Sequence, residues 1–169
     1  MSDLIYSGKD ASGELEIGIY KKQSPEFRQQ FTDFAVEVDD PDMVVIGGGG
    51  VADGVVGAFL TASYPNDALT AWLISSKDHI NPAPHQLIGY AIGLKVKGGT
   101  RTDLIPYIHV HSNSSEVAPH PEAYAPVNAA DLDEIRIGGG FKVHWTGAGN
   151  LATGSLPDSD DYFRVESAR

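Results

Sequence analysis

An all-β chain is predicted here, built from two tandem β-rich units related by a pseudo-twofold axis as a sandwich or barrel. Three observations predict it. Asp40-Pro-Asp42 followed by Ile46-Gly-Gly-Gly49 returns as Asp131-Leu-Asp133 followed by Ile137-Gly-Gly-Gly140, and an internal repeat constrains the architecture before any propensity argument. Gly57, Thr61, Ser63 and Pro65 return in the same way as Gly149, Thr153, Ser155 and Pro157. Third, the 19 glycines and 10 prolines punctuate short apolar runs, the pattern of a turn-rich β protein.

Taken in chain order, the first unit spans about 1–71. Ser7-Gly-Lys9-Asp10 opens it and matches Ser75-Ser-Lys77-Asp78. Glu14 to Tyr20 alternates in period two, as a half-buried strand does, and its Ile17-Gly18-Ile19 matches Ile92-Gly93-Leu94. Ser24 to Phe31 has a helix-start signature, Ser followed by Pro. Phe34 to Val38 alternates again, and the glycine run precedes a strand ending at the Tyr64-Pro-Asn-Asp67 turn.

The second unit spans about 72–169. Leu87 to Leu94 is continuously apolar, as a strand buried on both faces would be. Thr100 to Ile105 is a second capped helical turn. Ile105 to His111 alternates, and Leu104 to His111 is laid on Phe31 to Val38, which makes 112–134 an inserted loop. Phe141 to Trp145 reads as a short strand. Phe163 to Arg169 resembles the start of a third unit and is expected to pair back onto the first.

Composition limits the partners. The net charge is −11, from 23 acidic and 12 basic side chains, and such a surface repels phosphate backbones. Nucleic acid is excluded as a partner on that ground. No apolar run approaches the roughly 18 residues of a membrane-spanning helix, and the start MSDLIYSGKD has no basic-then-apolar leader. Cytoplasmic residence is the default expectation, with signal-less secretion or association with a particle as the other routes. There is no cysteine, so disulfides and thiol chemistry are out.

The candidate chemistry lies in three groups. His109 and His111, two apart on an extended segment, point to one face. With Glu116 and His144 they form a candidate three-His, one-carboxylate site for a divalent ion such as Zn²⁺, Fe²⁺, Ni²⁺ or Mn²⁺, and His120 in the same loop is a further candidate ligand. The stretch His109-Val-His-Ser-Asn-Ser-Ser-Glu116 resembles the first metal motif of cupins. That resemblance implies a metal-dependent enzyme using His109, His111, Glu116 and His144. The acidic pairs Asp40/Asp42 and Asp131/Asp133 suit a hard cation such as Ca²⁺. Lys77, Asp78 and His79, with Trp145, offer the polar groups and aromatic face that hold a sugar.

The glycine runs lack the Gly-Lys-Ser/Thr of a phosphate loop and are read as sites of close strand crossing. No Gly-x-Ser-x-Gly elbow is present for nucleophilic catalysis. The expected function is therefore a non-enzymatic, lectin-like or adhesin-like module that recognises a glycan or cell-surface ligand and has the potential to form a homo-oligomer. The cupin-like enzyme is the alternative, and a phage-fibre or toxin component is a further one.

Overall fold

The computed structural model describes residues 1–54, 56–126, 134–157 and 162–168. The chain is all-β, as expected, and among the described residues eleven strands form three antiparallel sheets. The first sheet has the order β1-β2-β7-β4, from β1 (Asp3–Lys9), β2 (Leu15–Gln23), β7 (Gln86–Val96) and β4 (Val44–Asp53). The second is β3-β6-β5-β9, from β3 (Gln30–Glu37), β6 (Ala71–Asp78), β5 (Ala58–Pro65) and β9 (Phe141–Lys142). The third is β10-β11-β8, from β10 (Leu151–Pro157), β11 (Tyr162–Ala168) and β8 (Glu122–Pro126).

The first two sheets face each other across a core of Tyr20, Phe31, Val36, Val38, Met43, Val45, Trp72, Ile74, Leu87 and Ala91. Small residues let them approach closely. A methyl group on Gly48 would overlap the Trp72 ring, and one on Gly50 would lie 2.9 Å from Ile74 Cγ2. The same fit explains β7. Its inward positions Leu87, Gly89, Ala91 and Gly93 are buried, while Ile88, Tyr90 and Ile92 are only half-buried. Val36, Ile74, Val38 and Met43 fill the space over the two glycines. The apolar run is thus an alternating strand whose inner face is made of small residues, not one buried equally on both faces.

Two sheets share strand order and register. In β5/β6, Leu60, Ala62, Ser63, Tyr64 and Pro65 oppose Ser76, Ser75, Ile74, Leu73 and Trp72, skipping Thr61. In β10/β11, Ala152, Gly154, Ser155, Leu156 and Pro157 oppose Ser167, Glu166, Val165, Arg164 and Phe163, skipping Thr153. On the other side, β3 sets Phe34, Ala35 and Val36 against Ile74, Leu73 and Trp72, and β8 sets Ala123, Tyr124 and Ala125 against Val165, Arg164 and Phe163. The glycine contact recurs too, since a methyl group on Gly139 would overlap the Phe163 ring as one on Gly48 overlaps Trp72.

Three expectations are corrected. First, residues 104–111 do not form a strand. Residues 101–107 instead form α1 (Arg101–Leu104) and a 3₁₀ turn (Ile105–Tyr107), because Thr100 and Asp103 cap the start and Pro106 suits the turn's first residues. Second, Ser24 to Phe31 is not helical. Arg28 exchanges backbone hydrogen bonds with His85, and Ser24 donates its N–H to the Leu87 carbonyl while its hydroxyl accepts from the Leu87 N–H, and this pairing overrides the local start signal. Third, β11 pairs with β10 and β8 and not with the first unit. Of Phe141 to Trp145, only Phe141–Lys142 is strand.

Arg101 ties α1 to the β3–β4 turn, with its Nε donating to the Met43 carbonyl at 2.6 Å and its Nη2 to that of Asp40 at 2.9 Å. Asp40 also accepts from Lys95 Nζ at 2.7 Å and from the Asp42 amide at 2.9 Å. Burial pushes its carboxyl up, but Lys95, the Asp42 amide and Arg101 outweigh burial and hold it below its ordinary 3.8. A carboxyl lowered on folding stabilises the fold above its unfolded pKa, and that stability is lost as pH falls through the folded value. Asp40→Asn is therefore expected to destabilise the protein at pH 7. Urea titrations along a pH series should find the gap from the natural protein closing as pH drops below about 4.

Candidate metal centre and the cavity beside it

The 97–121 segment carries His109 and His111. Ile108 is extended, at φ −116° and ψ 108°, and in such backbone side chains two apart share a face. Their rings sit edge to face with centroids 6.3 Å apart. Between them reaches Glu134. Its Oε1 accepts a hydrogen bond from His109 Nδ1, and its Oε2 accepts one from His111 Nε2 at 2.9 Å. The hydrogen bond from His109 is the main reason the Glu134 carboxyl is held below its ordinary range, with His111 adding to it against some burial.

The three donor atoms lie within 4.8 Å of one another, and this is the one such group of three among the described residues. Two imidazoles and a carboxylate leave one position open on a tetrahedral Zn²⁺ and three on an octahedral ion, the layout of sites where a metal takes an exogenous ligand.

All three residues line a cavity of about 460 Å³. Its walls come from both halves of the chain: Val45, Ile46 and Trp72 on one side, Ile137 and Phe163 on the other, with Tyr107 at the rim. Tyr107 and Ile135 are exposed, and Ile137 is half-exposed. A polar three-residue cluster therefore opens onto a mainly apolar hollow.

Glu116, His120 and His144 are exposed and stand outside this group. The carboxylate brought to the two histidines is Glu134, far off in sequence. Spacing within one loop points to Glu116, and nothing local marks Glu134. Asp40 and Asp42 form a turn tied to Lys95 and Arg101. Asp131 and Asp133 lie outside the described residues.

Lys77 and His79 meet the turn that carries Trp145, while Asp78 lies between them on β6. Lys77 is 2% exposed. Its Nζ donates to the carbonyls of Gly147 at 3.0 Å and Ala148 at 2.6 Å, and lies 4.3 Å over the Trp145 ring. Burial pushes this ammonium below its ordinary value. His79 Nδ1 donates to the Ala148 carbonyl at 3.0 Å. The lysine thus clamps the 145–149 turn. Lys77→Met keeps the stem but removes the donor from both carbonyls, which should cost about 1–3 kcal/mol. It should also leave Trp145 more open to acrylamide quenching, which a fluorescence titration reads directly.

No family model matches the chain, and no curated protein or solved structure matches it significantly. Among the described residues, no helix is long and apolar enough to cross a membrane.

Proposed function

We propose that the protein is a binding module that recognises a small ligand through a divalent transition-metal ion held by His109, His111 and Glu134. The observation that carries this reading is the convergence of those donors on the mouth of a 460 Å³ cavity. The ion's open positions would take an oxygen or nitrogen donor of the ligand, and the apolar walls would take its carbon skeleton. The test is a ligand screen on metal-loaded and chelator-stripped protein, prepared without a histidine tag. Ligands retained by both forms alike would sink the reading. Turnover of a ligand at the loaded site would favour the metal-dependent enzyme instead, with Glu134 as the carboxylate in place of the cupin-like Glu116.

Carbohydrate recognition is the second reading, supported by the gathering of Lys77 and His79 at the turn of Trp145. Its weakness is that the Lys77 ammonium already covers a face of Trp145. If a sugar stacks there, Trp145→Ala should abolish any signal on a glycan array while leaving metal binding unchanged.

We also propose that the chain is a tandem duplication, with units near 1–71 and 72–169 sharing one fold. Support comes from the matched registers, the repeated Thr61/Thr153 skip and the repeated glycine-on-aromatic contact. On this reading the metal group belongs to the second unit alone, through its 97–121 insertion and Glu134.

A further inference from the structure

The cavity holds few charges. Among the described residues its lining carries Glu134, Arg136 and the two histidines, and every other lining side chain is uncharged. Trp72, Ile137 and Phe163 are among those walls, and the one polar atom of Trp72, Nε1, is committed to Ser63 at 2.8 Å. Arg136 already interacts within the protein, so it does not enter the charge balance at the metal.

A divalent ion on His109, His111 and Glu134 would meet two neutral imidazoles, the form in which histidine ligates, and one carboxylate. Those ligands leave one positive charge uncancelled at the mouth of an apolar hollow. Charge in such surroundings is costly unless an opposite charge meets it. A neutral further ligand leaves the surplus in place, whereas a monoanion removes it. A carboxylate does so with a single charge and with oxygen donors that these ions accept. A phosphate dianion overshoots the balance and asks for hydrogen-bond donors that hydrocarbon walls do not offer.

The space behind the metal sets the rest of the ligand. At about 460 Å³ it lies in the lower part of the range of small-molecule sites, roughly 300–1,000 Å³. Uncharged walls of that extent suit one aromatic ring or a short hydrocarbon chain, and they offer little to the hydroxyls of a sugar. We infer, on the basis of the metal site proposed above, that the ligand is a small monocarboxylate with an apolar body. Its headgroup completes the metal's coordination, and its aryl or alkyl part fills the hollow.

Isothermal titration calorimetry of the full chain tests this, on tag-free protein loaded with Zn²⁺ and counted for metal by elemental analysis of the same sample. Phenylacetate should bind the loaded protein. Phenylacetamide, neutral and of nearly the same shape, should bind at least about tenfold more weakly. Acetate keeps the headgroup and lacks the ring, and it too should bind at least about tenfold more weakly. Ile137→Ala trims a half-exposed wall residue and should leave the fold intact. It should weaken phenylacetate severalfold and leave acetate unchanged. A sample that holds one equivalent of metal yet binds the amide as tightly as the acid, or binds neither, overturns the inference and spares the metal site. So do equal affinities for acetate and phenylacetate, or an Ile137→Ala protein that binds phenylacetate unchanged. Protein that retains no Zn²⁺ overturns the metal site and the inference with it.

Discussion

Replacing His109 and His111 together by Ala is expected to abolish binding of a transition metal. Tag-free natural protein dialysed against Zn²⁺ or Ni²⁺ should retain close to one equivalent by elemental analysis, and the double variant close to none. The physical reason is the donor count. Two imidazoles and one carboxylate make a site with open positions, whereas Glu134 alone is one more acid on a chain of charge −11. Either single His→Ala leaves two donors, and affinity should fall by two or more orders of magnitude. Saturating metal should also raise the melting point of the natural protein, because a ligand held only by the folded state stabilises it by mass action. At a hundredfold excess over the dissociation constant that is about 2.7 kcal/mol. The double variant should show no such rise. His120→Ala and Glu116→Ala are the controls, since both residues lie outside the group and should retain the natural stoichiometry. A natural protein that emerges from dialysis without metal would refute the site.

The largest effect on stability is expected at Gly48. Its Cβ position is occupied by the Trp72 ring and the Tyr90 carbonyl. Neither can step aside cheaply, because Trp72 Nε1 is fixed by a 2.8 Å hydrogen bond to Ser63 and the carbonyl belongs to β7. Overpacking a tight core costs 1–3 kcal/mol and sometimes more, so Gly48→Ala should cost about 3 kcal/mol in urea denaturation. Gly49→Ala is the matched control: the next residue of the same strand, with nothing within 4 Å of its Cβ position. Removing glycine's freedom in the unfolded chain should leave it neutral or slightly stabilising. Gly139→Ala, over Phe163, should be destabilising like Gly48→Ala. Equal costs at Gly48 and Gly49 would mean that the sheets do not meet here.

The glycine runs show how far a linear reading reaches. Their repetition, the absence of a phosphate-loop context and the flanking apolar residues are enough to predict close strand crossing, and Gly48 and Gly139 each lie against an aromatic ring. Strand type was legible for the same reason: alternation in β2 and β3 reports which side of each strand faces the core. Alternation was masked in β7, because glycine and alanine are inward there and their smallness is set by Val36 and Ile74 from another sheet. The metal group divides along the same line. His109 and His111 are paired by local geometry, since extended backbone puts residues two apart on one side. Glu134 joins them only because the fold brings a residue distant in sequence to the same cavity.

The residue pattern by itself determined the all-β class and the two neighbouring histidines, because each is written in spacings of a few residues. The tertiary structure decided that 101–107 are helical, that β11 pairs with β10 and β8, and which carboxylate meets the histidines. Those depend on pairings between segments tens of residues apart, whose free energy comes from sheet hydrogen bonds and buried contacts that no local window contains.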